Sequence, residues 1–329
     1  MKKIQTNNII FTDDQYQRVL MGEEFNFALD KISNVSACWG KTINDTPEYD
    51  PVSPQELIFK ISNFSLEKYL NNFNFLANIK IKKSKTEFEN IENPIEALTL
   101  ENLTCLSTLA SVVLIFDNLK DFNMNDMLKF SKYIRKFKVQ LIIQINAEYE
   151  LSYEELMQLK LLGTSIQIKT DENFNAEIFL TNLNNLIASN ILVSSKISVT
   201  KNSFNEIMKV IPKLPKNTSM KLFFIKPYIT INQYKKIQQE FINANLLNVR
   251  IATCSNSYFN KRSKNIILIP MDCDSTRFSI YIEDDSIYPC EYLKKFKISL
   301  NKCKNIHDFW YNKNIIKLRE KIAEFNYCK

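Results

Sequence analysis

The chain of 329 residues contains three glycines and one histidine. Average usage would give roughly 23 glycines. Gly22, Gly40 and Gly163 stand far apart, so neither a GxGxxG turn nor a GxxxxGK(S/T) loop can be written. The glycine-built phosphate cradles are therefore excluded. A lone His307 rules out an HExxH pair or a multi-histidine zinc site. Any Ser-His-Asp or Cys-His catalytic group would have to use His307 itself. Long apolar runs are also missing. The longest, 110–116 and 266–271, fall far short of the roughly 20 residues of a membrane helix. The opening MKKIQTNNIIFTDDQ has two lysines but lacks the apolar stretch of about 7–15 residues of a signal peptide. A cytoplasmic protein with no membrane partner is expected. In that compartment the seven cysteines read as thiols or metal ligands rather than disulfides.

What is present is ordinary for a globular chain: 45% hydrophobic and 24% charged residues. The length allows one large domain or two smaller ones. The net charge is 43 − 36 = +7, mostly from lysine. A genome rich in A and T would supply that excess by codon usage alone. As a field it favours an acidic peptide or a nucleic acid over a basic partner.

From about residue 75 strand and helix signals alternate. Strands are expected at 77–82, 111–116, 138–145, 164–169, 191–199, 220–226 and 248–252, each β-branched and nearly continuous in apolar character, as buried parallel strands are. Polar capping residues lead apolar-periodic runs: Thr99 before 100–109, Asn125 before 126–137, Ser152 before 153–162 and Ser203 before 204–212. Gly163 is a fitting C′ residue for the third of these. Repeated βα units give an open doubly wound sheet or a barrel. With no glycine-rich strand-to-helix turns, a barrel-like arrangement is favoured. Two flanks break the alternation. Residues 1–74 show strand-like pieces at 8–11 and 24–30, then two helices near 53–62 and 65–74. Residues 265–329 show strands at 265–270 and 277–283, a turn at 283–286, a cysteine-bearing segment and a helix at 307–325.

Cys38 and Cys105 look isolated and structural. Cys273, Cys290, Cys303 and Cys328 do not. The segment CDSTRFSIYIEDDSIYPC brackets a hairpin whose return would bring Cys273 and Cys290 to one end. Converging thiolates hold an iron–sulfur cluster or a tetrahedral zinc. Scattered cysteines without a CxxC are the plain alternative.

That segment resembles the first half of the SPASM or twitch region of radical SAM peptide maturases, with Asp285 where the family has a turn glycine. The run from Trp310 to Leu318-Arg319 is similar to the family's tryptophan-to-Leu-Arg helix before its next cysteine, here Cys328. Since Lys329 follows, at most one auxiliary 4Fe–4S cluster is expected, with Cys273, Cys290, Cys328 and Cys303 as its metal ligands. Backwards, VQLIIQINAEYELSYEELMQLKLLGTSIQIKTDE resembles the family's third strand, helix and fourth strand. In that register the SAM-binding GGEP is replaced by Asp117-Asn118-Leu119-Lys120, and a Ser-Leu-Asp by Lys169-Thr170-Asp171. The loop KSKTEFENIENP after 77–82 has no cysteine where CX3CX2C should stand. The resemblance implies a partial (β/α)6 TIM-like barrel of radical SAM type over 75–264. A SPASM/twitch-like domain at 265–329 and an N-terminal region at 1–74, winged-helix-like and leader-recognising, flank it.

With the radical-initiating residues absent, S-adenosylmethionine binding is not expected. The implied function is that of a non-catalytic partner in maturation of a ribosomally synthesised peptide, binding the precursor, an active radical SAM maturase, or both. One alternative is an enzyme that uses the auxiliary cluster or carboxylates at strand ends: Glu87, Glu89, Asp117 and Asp171. Another is a basic nucleic-acid binder using Lys294, Lys295, Lys297, Lys302 and Lys304 near Tyr292 and Phe296. No recognition motif accompanies that run, and a solvated face is its simpler reading.

Overall fold

The computed structural model describes residues 2–5, 10–14, 16–22, 25–30, 35–43, 53–76, 108–117, 119, 123–137, 139–216, 218–225, 227–246, 249–251, 269–270 and 275–323. The chain divides into two units. The first takes Met1–Leu114, Phe122–Leu141 and Asp274–Glu324; the second takes Ile115–Asp121, Ile142–Cys273 and Phe325–Lys329.

The first unit begins with an antiparallel meander of Lys2–Gln5, Ile10–Asp13, Gln17–Met21, Asn26–Asp30 and Val35–Trp39, neighbours in chain order. Its core is Phe11, Leu20, Phe25, Phe27 and Leu29, with Cys38, Ala110 and Phe278 packed against them. Asp14 shapes one turn: its carboxylate accepts from the backbone N–H of Tyr16 and Gln17, both at 2.8 Å. The helix expected near 53–62 is instead the strand Glu56–Ile61. Its residues alternate half-buried and buried, a period of two that a helix would scatter around its circumference. The helix expected at 65–74 is present as Leu66–Leu76. A winged-helix pair over 53–74 is thus replaced by one strand and one helix. The expected strand 77–82 and most of the helix 100–109 lie outside the described residues. The helix expected behind Asn125 starts two residues earlier, as Met124–Lys136 capped by Asn123.

Glu56–Ile61 runs parallel to Ser279–Glu283, which forms a hairpin with Ser286–Tyr288. The two-residue turn is Asp284-Asp285, with Asp284 at φ 51°, a region that Asp tolerates better than most residues. Ile298–Ser299 then pairs with the second hairpin strand. Helix Leu66–Leu76 carries Tyr69, whose phenol pKa is pushed up to about 12 by burial first and then by Asp284 and Asp285.

The second unit is a parallel α/β array. Ile142–Asn146 pairs with Ser165–Lys169, that strand with Val193–Val199, and the array continues through Ser219–Phe224, Val249–Ile251 and Ile269–Pro270. Parallel neighbours need crossovers, and helices supply them. Tyr153–Leu162 starts at a capping box of Ser152 and Glu155 and ends at Gly163 with φ 57°. Ala176–Ala188 is capped by Asn175, and Ile231–Asn243 by a Thr230–Gln233 box. The sequence reading does not single out these last two helices. Phe204–Val210 follows Ser203 as expected, but the Ser203 side chain does not cap it.

The single helix expected at 307–325 is two: Ile306–Trp310 and Lys313–Ala323. Asn312 makes the break, its carboxamide oxygen accepting from Asn314 N–H at 3.0 Å. As one continuous helix, 307–325 would be expected to bury Phe309, Ile316 and Ile322 on its inner face; the break shifts that face. Phe309, Trp310, Ile315, Leu318 and Arg319 are buried, while Ile316 is half-buried; the Ile322 side chain lies outside the description. Arg319, only 3% exposed, donates from Nε to the Thr276 carbonyl at 2.5 Å and from Nη2 to the Trp310 carbonyl at 3.0 Å. Its guanidinium carbon sits 4.6 Å from the Trp310 ring centroid. Arg319→Ala strands two buried carbonyls and removes the stack. We expect it to lower stability by about 3 kcal/mol, read as a lower urea midpoint; an unchanged midpoint would contradict the assignment.

Candidate functional site

In parallel α/β arrays, sites are built at the C-terminal ends of the strands. In the second unit these ends are braced by carboxamides and hydroxyls. Asn146 donates from Nδ2 to Asp171 Oδ2 at 2.8 Å, and its Oδ1 accepts from Glu148 N–H at 3.0 Å. Buried Asn182 donates to the carbonyls of Ala147 and Tyr149, at 3.3 and 2.7 Å, and accepts from Leu151 N–H. Thr170 is fully buried and its Oγ1 accepts from Ser198 N–H at 2.9 Å. Ser203 Oγ donates to the Ser198 carbonyl at 2.8 Å and accepts from Thr200 N–H at 2.8 Å. At Glu206, the hydrogen bond from Lys209 and then the backbone N–H of Ala176 hold the carboxyl below the usual carboxylate range. Each loop is thus tied to its own neighbours, which gives a rigid rim without glycine.

Of the strand-end carboxylates singled out, Glu87 and Glu89 lie outside the described residues. Asp117 is exposed at the end of Ser111–Phe116, and Asp171 is exposed and held by Asn146.

The strand faces show what the sequence reading missed. On one face, Ile143, Ile166, Ile168, Ile197 and Leu222 are buried. On the alternate positions the register aligns Asn146 with Lys169, Lys169 with Lys196, Lys196 with Lys221, and Lys221 with Arg250. Four basic residues therefore stand side by side on four adjacent strands. The three lysines are half-buried. Two positions earlier, Gln144, Gln167, Ser194 and Ser219 form a polar row in the same register. The sequence signal was a single basic residue amid each β-rich run: SIQIK, VSSKISV, SMKLFF and VRI.

In the tail, Cys290 and Cys303 are described, both as reduced thiols, while Cys273 and Cys328 lie outside the described residues. Ser275 Oγ donates to the Pro289 carbonyl at 3.0 Å, closing the open end of the hairpin. Cys303 is buried, with its thiol 3.8 Å from the Ser299 carbonyl. Among the described residues no group of three or more His, Cys, Asp or Glu is placed to hold a metal. In the lysine-rich run, Lys294 pairs with Glu283 and lies 5.5 and 5.7 Å from the ring centroids of Tyr281 and Tyr288. Lys295, Lys297, Lys302 and Lys304 are exposed. His307 packs edge-on to Tyr311 at 5.6 Å. Among the described residues no helix is long and apolar enough to cross a membrane.

No protein-family model matches the chain, and no curated protein matches it in sequence. Its structure is similar to that of Streptococcus suis SuiB, at 11% identity and a TM-score of 0.50 over 96% of this chain and 90% of SuiB. The chain shares the SuiB α/β fold. Weaker likenesses are to SuiB bound to S-adenosylmethionine, with 11% identity, a TM-score of 0.45 and 82% and 66% of the two chains covered. A radical SAM methyltransferase from Sphaerobacter thermophilus follows, with 9% identity, a TM-score of 0.32 and 76% of each chain covered.

Burial first, and then the charge of Asp308, push the Cys303 thiol up from its ordinary value. A raised thiol pKa leaves less of the reactive thiolate at a given pH. In the reduced, metal-free protein at mildly alkaline pH, iodoacetamide should label half-exposed Cys290 before Cys303, as followed by peptide mass spectrometry. Labelling of Cys303 first would contradict the burial argument.

Proposed function

We propose that the chain is a non-catalytic, radical-SAM-like partner in the maturation of a ribosomally synthesised peptide, and that it binds the precursor, an active maturase, or both. One observation carries this reading: a SuiB-like fold over 96% of the chain whose strand-to-helix loops lack the thiolates that radical initiation needs. The strand that precedes the helix Leu66–Leu76 is Glu56–Ile61. The connection between them, Ser62-Asn63-Phe64-Ser65, has no cysteine, and neither has 83–94. On this reading the barrel begins near residue 56 rather than 75, as a partial barrel of radical SAM type. The segment from about 275 is its SPASM-like tail. After Ser111–Phe116 the chain continues Asp117-Asn118-Leu119-Lys120, where bulky side chains replace a glycine backbone that could approach S-adenosylmethionine. Cys273, Cys290, Cys328 and Cys303 belong to the same reading as ligands of one 4Fe–4S cluster, and iron and sulfide analysis after anaerobic purification tests it.

The chain, incubated with dithionite and S-adenosylmethionine, should release no 5′-deoxyadenosine above the level of a protein-free control. Multiple turnovers would overturn the non-catalytic assignment.

Leader recognition, expected of residues 1–74, is on this proposal a role of the meander of 2–39. Deleting 1–74 would remove Glu56–Ile61, the neighbour of Ser279–Glu283, so the informative truncation stops before residue 53. Deletion of 1–43 should abolish precursor binding while circular dichroism retains the α/β signature. Unchanged precursor affinity would discard that role for the meander.

A further inference from the structure

We propose that the outer face of helix Tyr153–Leu162 is a pairing surface for a second copy of this chain, the two helices lying antiparallel across a two-fold axis at Met157. This pairing is independent of precursor binding and of the meander of 2–39.

The crossover helices of the second unit differ in what they turn to solvent. Ala176–Ala188 exposes Glu177, Thr181 and Asn184, and Ile231–Asn243 exposes Asn232, Lys235, Lys236 and Gln239, each with one isoleucine in its last turn. Those are the polar outer faces of ordinary amphipathic helices. Tyr153–Leu162 is apolar on both sides. Leu156, Leu159 and Leu162 are buried, while Tyr153 is 78%, Met157 39% and Leu161 71% exposed. A spacing of four sets these three in one row on the helix surface, about 12 Å long at 1.5 Å per residue. A contiguous apolar row open to water marks an interaction surface. Leu192, 73% exposed, adds apolar area at the same N-terminal edge of the strands as Leu161; its carbonyl accepts from Ile166 N–H at 2.8 Å.

The charges beside the row identify the occupant. Met157 is the midpoint of the exposed residues: Tyr153 and Leu161 lie four positions to either side, and exposed Glu154 and Lys160 lie three. Reversing the helix about Met157 therefore sets the apolar ends of one copy against those of the other and brings Glu154 level with Lys160 of the second copy. A closed two-fold interface requires such self-complementarity, because one patch serves both subunits. A parallel pairing would instead set Glu154 beside Glu154 and Lys160 beside Lys160. Neither Glu154 nor Lys160 has an opposite charge three or four residues away, the separation at which a helix pairs its own side chains. The capping box at the start of the helix uses Ser152 and Glu155 and leaves Glu154 out. A partner surface of a single charge sign would leave one end of the row unmatched. A stable interface buries about 800 Å² per partner, more than one helix face supplies, so the pairing is weak and reversible.

The test is sedimentation velocity of the full chain with a thiol reductant present, at protein concentrations from about 5 to 500 µM. The sedimentation coefficient should rise with concentration from the monomer value towards the dimer value. Met157→Glu, which sets two carboxylates face to face at the axis, should raise the dimer dissociation constant more than tenfold. Glu154→Lys and Lys160→Glu should each weaken pairing about tenfold by opposing like charges, and the double variant should restore it. Glu177→Lys, on the neighbouring helix, should leave pairing unchanged. Circular dichroism of each variant separates lost pairing from lost fold, and Lys160→Glu decides should Glu154→Lys unfold. A monomer at every concentration overturns the proposal and leaves the face to a different protein. A dimer indifferent to Met157→Glu also overturns it, by placing the contact elsewhere. A double variant that pairs no better than the single ones overturns the antiparallel register.

Discussion

The first unit depends on the backbone of Gln55. Its N–H donates to the Phe278 carbonyl at 2.7 Å, and its own carbonyl accepts from Ala110 and Ser111 at 2.8 and 3.1 Å. Three stretches far apart in sequence thus meet at one residue. Ser53 and Thr108 reinforce the junction with a buried hydroxyl pair at 2.8 Å, and Glu56 Oε2 accepts from Ser111 Oγ at 3.1 Å. With that junction set, Glu56–Ile61 can run beside Ser279–Glu283, and the hairpin, the Cys303 segment and the Trp310–Arg319 contact follow in order along the chain. Pairings of such long sequence separation are slow to form, because loop closure precedes any reward from contacts.

The readable parts of the sequence were those whose signal is local. The runs SVVLIF, at Ser111–Phe116, and QLIIQIN, at Gln140–Asn146, are largely apolar on both faces, as parallel strands are, and both formed near the expected limits. Tyr153–Leu162 announced itself by a capping box in front and Gly163 behind. The turn at Asp284-Asp285 was equally local. Illegible parts were those decided by distant partners. ELIFKI carries an alternating pattern, but only its neighbour 279–283 makes it a strand, and the same apolar content fits a helix. At Asn312 the amphipathic pattern runs on while the backbone stops to let a side chain cap a new helix.

The site was legible by its losses and not by its gains. Missing thiolates and missing glycines are visible residue by residue. The basic row is not, since Lys169, Lys196, Lys221 and Arg250 are separated by a helix or more in sequence and each alone reads as a solvated charge. Only the parallel register adds them. The strand ends tell a related story: Thr170, Ser203 and Asn182 spend their polar groups on bracing the chain.

Trp310 gives the molecule a built-in reporter. The chain has two tryptophans. Trp39 is partly open to solvent, whereas Trp310 is completely enclosed and faces a guanidinium. Their emission should therefore separate, with the Trp310 component blue-shifted and shielded from collisional quenchers such as iodide. With Trp39 replaced by phenylalanine, the remaining fluorescence would track the closing of the C-terminal helices in real time, without any attached dye.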